Sequence, residues 1–315
     1  MSGNIAYLVF FAILVAIQAI AVLGLNLQWG HTGVFNAGVA GFLAVGGYAF
    51  AILAGPPDPV RWGGFELPFI IGLSGAMVIS AAAALLVGLA TIRLREDYLA
   101  IATFGIATTI QLVALNADAL TGGNLGIHGI RRPLVDLFDG PSSYNIFYLG
   151  VVATVLLAVY LGLEVIVRSP WGRVLRAIRE DEMAAQSLGK SVSRFRLEAF
   201  VLGSSLMGLS GALYVGFIGY VSSADFMPIV TFQLWTMLIV GGSGNNRGAM
   251  LGTLVVWALW TASGTAITTL LPSRLHAQGA AAQTILIGLV LVLMLMLRPR
   301  GLIGEKPVVS RHAES

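Results

Sequence analysis

Between Glu164 and Glu198 the chain interrupts two long apolar runs with a charged insert, and this constrains everything around it. Seven basic residues (Arg168, Arg173, Arg176, Arg179, Lys190, Arg194, Arg196) and five acids (Glu164, Glu180, Asp181, Glu182, Glu198) fall in that window. They make up twelve of the thirty-three charged residues in the whole chain. A charge at mid-bilayer costs roughly 2.5–3.5 kcal/mol on insertion scales, so the insert must lie outside lipid while its flanks lie within it. The chain is 57% hydrophobic and 10% charged, where a soluble domain carries about 25% charged residues. This is the composition of an integral membrane protein. Its 39 glycines in 315 residues suit closely packed membrane helices. The absence of cysteine excludes disulfides, thiolate metal sites and a cysteine nucleophile.

A helix needs about 20 apolar residues to cross a bilayer. Nine charge-free runs approach that length: 5–24, 32–53, 67–92, 99–117, 144–163, 199–220, 226–240, 249–271 and 280–297. The first lacks a basic flank before it and reads as a span rather than a cleaved leader. The second is Gly-rich and the seventh short, which marks them as broken or re-entrant, a state tolerated where protein covers the freed backbone. The expected fold is all-α and polytopic, with about nine transmembrane helices. One membrane domain covers 1–304, with a cytoplasmic loop over 164–198, and 305–315 is a cytoplasmic tail. With nine alternating spans, fourteen basic residues fall on the insert's side and four (Arg61, Arg131, Arg132, Arg274) on the other. This bias predicts that the insert and C-terminus are cytoplasmic and the N-terminus outside.

Within the insert, Ser169 fits a helix N-cap with Pro170 at the first helical position. Trp171, Val174, Leu175 and Ile178 fall on one helical face. The acidic run 180–182 predicts a bend or a second short helix, and Gly189 a stop. An apolar face flanked by both charge signs suits either lipid headgroups or a docked protein. Gly189-Lys190-Ser191 imitates the end of a phosphate-binding loop, but Ala184 stands where that motif needs glycine. Gly242-Ser243-Gly244 fails as a dinucleotide fingerprint, because Arg247 replaces the third glycine. Ser204, Gly208, Ala212 and Gly216 form a small-residue ladder expected at a helix contact. The Gly-rich stretches at 30–47 and 241–252 are loosely alike, compatible with two structural halves.

Asn26, His31, Thr32 and Asn36, and further on Gln111, Asn116, Gln233 and Thr236, are polar groups at or inside spans. Two readings are open for them: hydrogen bonds between packed helices, or the lining of a transport path. No acid or base lies deep in a span, which argues against a proton- or sodium-driven carrier and for a neutral or zwitterionic solute. No catalytic dyad or metal cluster is present, so the sequence argues against an enzyme.

Four segments carry a family resemblance. They are Gly30-His31-Thr32-Gly33 through Gly46-Gly47-Tyr48; Arg93 through Thr103; Ser169-Pro170-Trp171-Gly172-Arg173 through Arg179-Glu180-Asp181-Glu182 to Leu188-Gly189, continuing to Phe200 and Gly208–Tyr214; and Gly241–Gly244 with Gly248, followed by Arg298-Pro299-Arg300-Gly301-Leu302. In order and spacing the chain resembles the LivM-like permease subunits of branched-chain amino acid ABC importers. It departs from the family at Val34-Phe35-Asn36 and at Asn245-Asn246-Arg247.

The resemblance implies a permease in a bacterial inner membrane that moves branched-chain or other neutral amino acids. It implies a heterodimer with a second homologous permease, two cytoplasmic ATPase subunits that bind the ATP, and an extracytoplasmic solute-binding protein. The chain itself then holds no cofactor. ATPase coupling would rest on Gly172, Arg173, Arg176, Glu180, Asp181 and Gly189, and the path on Asn26, His31, Asn36, Gln111 and Thr236. Rival readings are a urea, amide or sugar permease of a related importer, or a stand-alone secondary transporter.

Overall fold

A computed structural model describes residues 3–59, 61–138, 140–270, 272 and 275–305. It is helical, and among the described residues the only β-pairing is an isolated antiparallel bridge between Ile127 and Val221. Lys306 and Arg311 of the expected tail, and Arg274, lie outside the described residues.

Nine apolar helices cover the nine expected runs. They are α1 (Gly3–Leu25), α2 (Val39–Ala54), α3 (Phe69–Thr91), α4 (Glu96–Asn116), α6 (Pro141–Arg168), α9 (Val192–Ile218), α10 (Pro228–Gly241), α11 (Asn246–Leu270) and α12 (His276–Leu297). Three short helices complete the order: α5 (Asp118–Thr121), α7 (Pro170–Glu180) and α8 (Glu182–Ser187). The second and seventh runs form the shortest of the nine, with 16 residues in α2 and 14 in α10. At about 1.5 Å per residue neither reaches across a 30 Å hydrocarbon layer alone.

Helix α9 is the axis of the bundle, buried over most of its length against α1, α2 and α3. Its small-residue ladder is what permits this. A Cβ on Gly46 would overlap the Gly208 carbonyl, and one on Gly211 would overlap the Leu43 carbonyl. Helices α2 and α9 therefore meet backbone to backbone, the use of small residues expected where lipid supplies no hydrophobic drive for association. Polar side chains lock these contacts: Ser210 Oγ donates to the Ile17 carbonyl at 2.7 Å, Ser80 Oγ to that of Phe42 at 3.0 Å, and Tyr148 Oη to that of Leu213 at 2.7 Å.

The loops segregate to two ends. At one end α7, the end of α1, the 241–248 turn and residues 298–305 all touch. At the other, the Ile127–Val221 bridge, an Ile130–Gly219 backbone bond and a Trp62–Ala119 backbone bond tie the loops after α2, α4 and α9. We predict that Gly46→Val or Gly211→Val lowers thermal stability in detergent by about 1–3 kcal/mol. Gly162→Ala, which meets open space, leaves the melting temperature unchanged or slightly raised; equal losses in all three variants would contradict backbone-level α2–α9 packing.

Candidate functional site

The site begins where α1 stops being regular. After Leu25 the chain makes one π-turn, Asn26–Gly30, and residues 31–38 then run irregularly into α2. Backbone without helical bonds at this depth has to find partners in the protein. Gln28 braces this stretch against α9 through its side chain. Its Nε2 donates to the Phe200 carbonyl at 2.7 Å and to Ser204 Oγ at 3.0 Å, and its Oε1 accepts from Asn36 Nδ2 at 2.9 Å. Asn36 Oδ1 accepts the Gly38 N–H, while Thr103 and Thr231 hydroxyls accept those of Ala37 and Ala40. Trp235 Nε1 donates to the Asn36 carbonyl at 3.0 Å, and Trp29, Phe35 and Trp235 close an aromatic cluster over the turn. The second span is thus broken as expected, and α10, the other short helix, supplies two of the clamps.

A second network joins this turn to the insert. Asn26 Oδ1 accepts the Gly244 N–H at 2.8 Å, and its Nδ2 donates to Asn246 Oδ1 at 2.9 Å. Asn246 Nδ2 donates to Glu164 Oε1 at 3.2 Å, and Glu164 pairs with Arg168 at 2.7 Å. From α7, the Arg179 guanidinium donates to the Gly30 carbonyl and, at 2.7 Å, to Glu305. Leu302 and Ile303 N–H groups donate to the Val240 and Gly241 carbonyls, which holds the 298–305 segment against the 241–248 turn. Glu305, expected to open the free tail, is part of this packed body.

His31, one residue past Gly30, is buried beside these groups. Burial first, and then the Arg179 and Arg176 charges, hold its imidazole down to about 4 from 6.5, against a hydrogen bond with Asn246 that acts the other way. It is neutral across the physiological range, consistent with a packing role rather than proton relay.

The insert folds as the sequence suggests. Ser169 Oγ caps α7 by accepting the Gly172 N–H, Asp181 breaks the helix and caps α8 through the Ala184 N–H at 2.9 Å, and Gly189 turns with φ +75°. The apolar stripe has a different use from docking. Leu175 and Ile178 are buried, Ile178 packs with Ala185 and Val192, and Trp171 Nε1 donates to Glu198 at 2.8 Å. A Cβ on Gly172 would overlap the Val167 carbonyl, so α7 folds tightly back on α6. The stripe glues α7 and α8, together a knuckle between α6 and α9, to their own bundle, and what faces outward includes Arg173, Glu180, Asp181, Met183, Leu188 and Gly189. Arg176 is half-buried and leans toward the Val167 carbonyl.

Of the expected path residues, Asn26, His31, Asn36 and Thr236 are buried, and Thr236 bonds only within its helix, to the Phe232 carbonyl. Gln111 is half-buried on α4, apart from the network. Gln28, Glu164, Arg179, Asn246 and Glu305 were not singled out from sequence as site residues. Gln28 lies between the polar residues Asn26 and His31, and Asn246 lies where the chain departs from the family pattern.

Comparison with known proteins decides the lineage. The model of the family described as "Branched-chain amino acid transport system / permease component" matches residues 7–295. The chain belongs to this family. It is 31% identical over 314 residues to the high-affinity branched-chain amino acid permease protein LivM of Salmonella typhimurium, covering 93% of this chain and 69% of that one. It is 27% identical over 331 residues to a probable LivM of Methanocaldococcus jannaschii, covering 92% of this chain and 91% of the other. The autoinducer 2 import permease LsrC of an Enterobacter strain is 29% identical over 197 residues, 60% of this chain and 54% of its own. No solved structure matches. The relatives are transport permeases, and the chain is an integral membrane permease component.

Asn26→Ala strands the Gly244 N–H and the Asn246 amide, so it lowers stability by about 1–3 kcal/mol; Asn116→Ala, which loses only an exposed intrahelical bond, changes it little. For His31 the folded and unfolded forms are both neutral above pH 6.5, whereas between 6.5 and about 4 only the unfolded chain takes the proton, so acidification in that window weakens the fold. The His31 imidazole NMR signals should stay in the neutral position down to pH 5; a midpoint near 6.5 would contradict the burial.

Proposed function

We propose that the chain is the permease subunit of an ATP-driven importer that carries branched-chain or other neutral apolar amino acids across a bacterial inner membrane. It works as half of a pore completed by a second homologous permease. Two cytoplasmic ATPase subunits bind and hydrolyse the ATP, and an extracytoplasmic binding protein delivers the solute. The N-terminus lies outside, and the knuckle and C-terminus in the cytoplasm; the fourteen-to-four distribution of basic residues favours that orientation.

The observation that carries this reading is the knuckle. Its apolar face is spent on its own bundle, so Met183 and Leu188, each 78% exposed, stand out beside Arg173, Glu180 and Asp181. Exposed apolar anchors ringed by both charge signs are the chemistry of a protein contact with a fixed register. Gly172 and Gly189 shape the surface, Asp181 caps it, and Arg176 braces it from behind. A push on this surface reaches the end of α1 through Arg179 and the Gly30 carbonyl. Asn26, His31, Asn36 and Thr236 then act as the packed hinge beside the path, and Gln111 as a lining group on α4.

Membership in a branched-chain amino acid permease family supports the solute class. The partial likeness to an autoinducer 2 import permease supports a second reading, a polar non-zwitterionic solute. Competition of labelled leucine uptake by unlabelled amino acids and by sugars separates the two.

In the assembled transporter, Glu180→Arg or Arg173→Glu should cut substrate-stimulated ATP hydrolysis and uptake at least tenfold, as expected from loss of a charge-assisted contact, without changing membrane insertion. Unchanged stimulation in both variants would refute docking at the knuckle. Uptake by the purified chain alone under ion gradients would refute the importer reading.

A further inference from the structure

At the end of the bundle opposite the knuckle, the 55–68 and 129–137 loops border an open cleft of about 620 Å³. That lies within the range of about 300–1,000 Å³ usual for small-molecule sites. Four charged side chains line it: Arg131 and Arg132, and Glu66 and Asp136. Among the described residues none of the four forms an ion pair within 4.0 Å, although both signs share one small space. Arg132 donates one guanidinium N–H to the Ile218 carbonyl at 3.3 Å and lies 5.8 Å over the Tyr144 ring. The remaining wall is apolar, with Leu67, Phe69, Leu134 and Leu137. Among the described residues only Glu66 (φ +47°) and Leu134 (φ +56°) are non-glycines with positive φ, and both line this cleft. Backbone held in such a conformation persists where surrounding structure enforces it, and such positions gather at ligand sites.

We propose that this cleft binds a zwitterionic α-amino acid with an apolar side chain before translocation, with Arg131 and Arg132 on the carboxylate, Glu66 and Asp136 on the ammonium, and the leucines and Phe69 around the side chain. The charges explain selectivity as well as affinity. A plain anion meets the two carboxylates and a plain cation the two guanidiniums, so only a ligand carrying both signs satisfies all four. The assignment rests on the amino acid reading above for its solute class, and it adds a site on the permease itself. A zwitterionic phospholipid headgroup has the same polar chemistry, so the test must separate the two sources.

The probe is labelled leucine, titrated against the full chain in nanodiscs of phosphatidylglycerol, a lipid without an ammonium. Saturable binding is expected, with leucinol (no carboxylate) and N-acetyl-leucine (no ammonium) each displacing it about tenfold less well, the factor for one lost charge-assisted bond. Arg131→Gln and Asp136→Asn, both at exposed positions that leave the fold intact, should each weaken leucine about tenfold. Arg131→Gln should also erase the preference for leucine over leucinol. No saturable binding at concentrations on the order of 10 mM, or binding equally tight in both variants, would overturn the site. Arg131-dependent retention of phosphatidylethanolamine without leucine binding would overturn it in favour of a lipid headgroup. Uptake by the whole transporter is scored separately. Leucine transport with variant-insensitive binding defeats this site alone, whereas a transporter that moves no amino acid defeats the functional reading and leaves the equilibrium binding result to stand on its own.

Discussion

A helix that ends inside a membrane protein exposes carbonyls that neither water nor lipid can satisfy, and the end of α1 is where this chain meets that constraint. The Gly30 carbonyl finds its donor on Arg179, a residue 149 positions away in α7. The same guanidinium holds Glu305, and the neighbouring Asn26 holds the Gly244 N–H and Asn246. Three segments distant in sequence are pinned to one broken turn. Each unsatisfied polar group here would cost several kcal/mol, so the 164–198 insert, the 241–248 turn and the 298–305 segment are all committed to this place.

That commitment gives the membrane domain its mechanical character. Helix α9 packs backbone to backbone on α2, and α2 continues directly from the irregular 31–38 stretch, whose polar groups rest on Gln28, Thr103, Thr231 and Trp235. Close-packed interiors transmit displacement rather than absorb it. In the proposed importer, motion of α7 bears on Gly30 first, and through it on α2 and its non-helical entry. The importer proposed above, driven by separate ATPase subunits, needs such a link.

Much of this was legible in the sequence, for local reasons. The charged insert had to leave the lipid, the nine apolar runs had to be helices, and Ser169, Pro170, Asp181 and Gly189 act through neighbours within three residues. The weakness of the second and seventh spans was visible as glycine content and length. What was not legible depends on distant pairing. Arg179 looked like any other base in a run of seven, Glu305 like the start of a tail, and Asn246 like an oddity in a glycine turn; their roles exist only once 30, 179, 246 and 305 meet. The stripe of Trp171, Leu175 and Ile178 was seen but its target was not, since helical spacing says that a face is apolar and not whether a partner or the chain's own bundle covers it. The charged cleft near Arg131 was invisible for the same reason, being assembled from two loops more than sixty residues apart.

The claim that Arg179 carries motion from the knuckle to the broken span is tested most directly by the number of solute molecules moved per ATP hydrolysed in the reconstituted transporter, compared between wild type and Arg179→Met. The account predicts an assembled complex that still hydrolyses ATP but moves solute at least tenfold less per ATP, the scale of one lost charge-assisted bond at a coupling point. An unchanged ratio in a correctly assembled complex would contradict it.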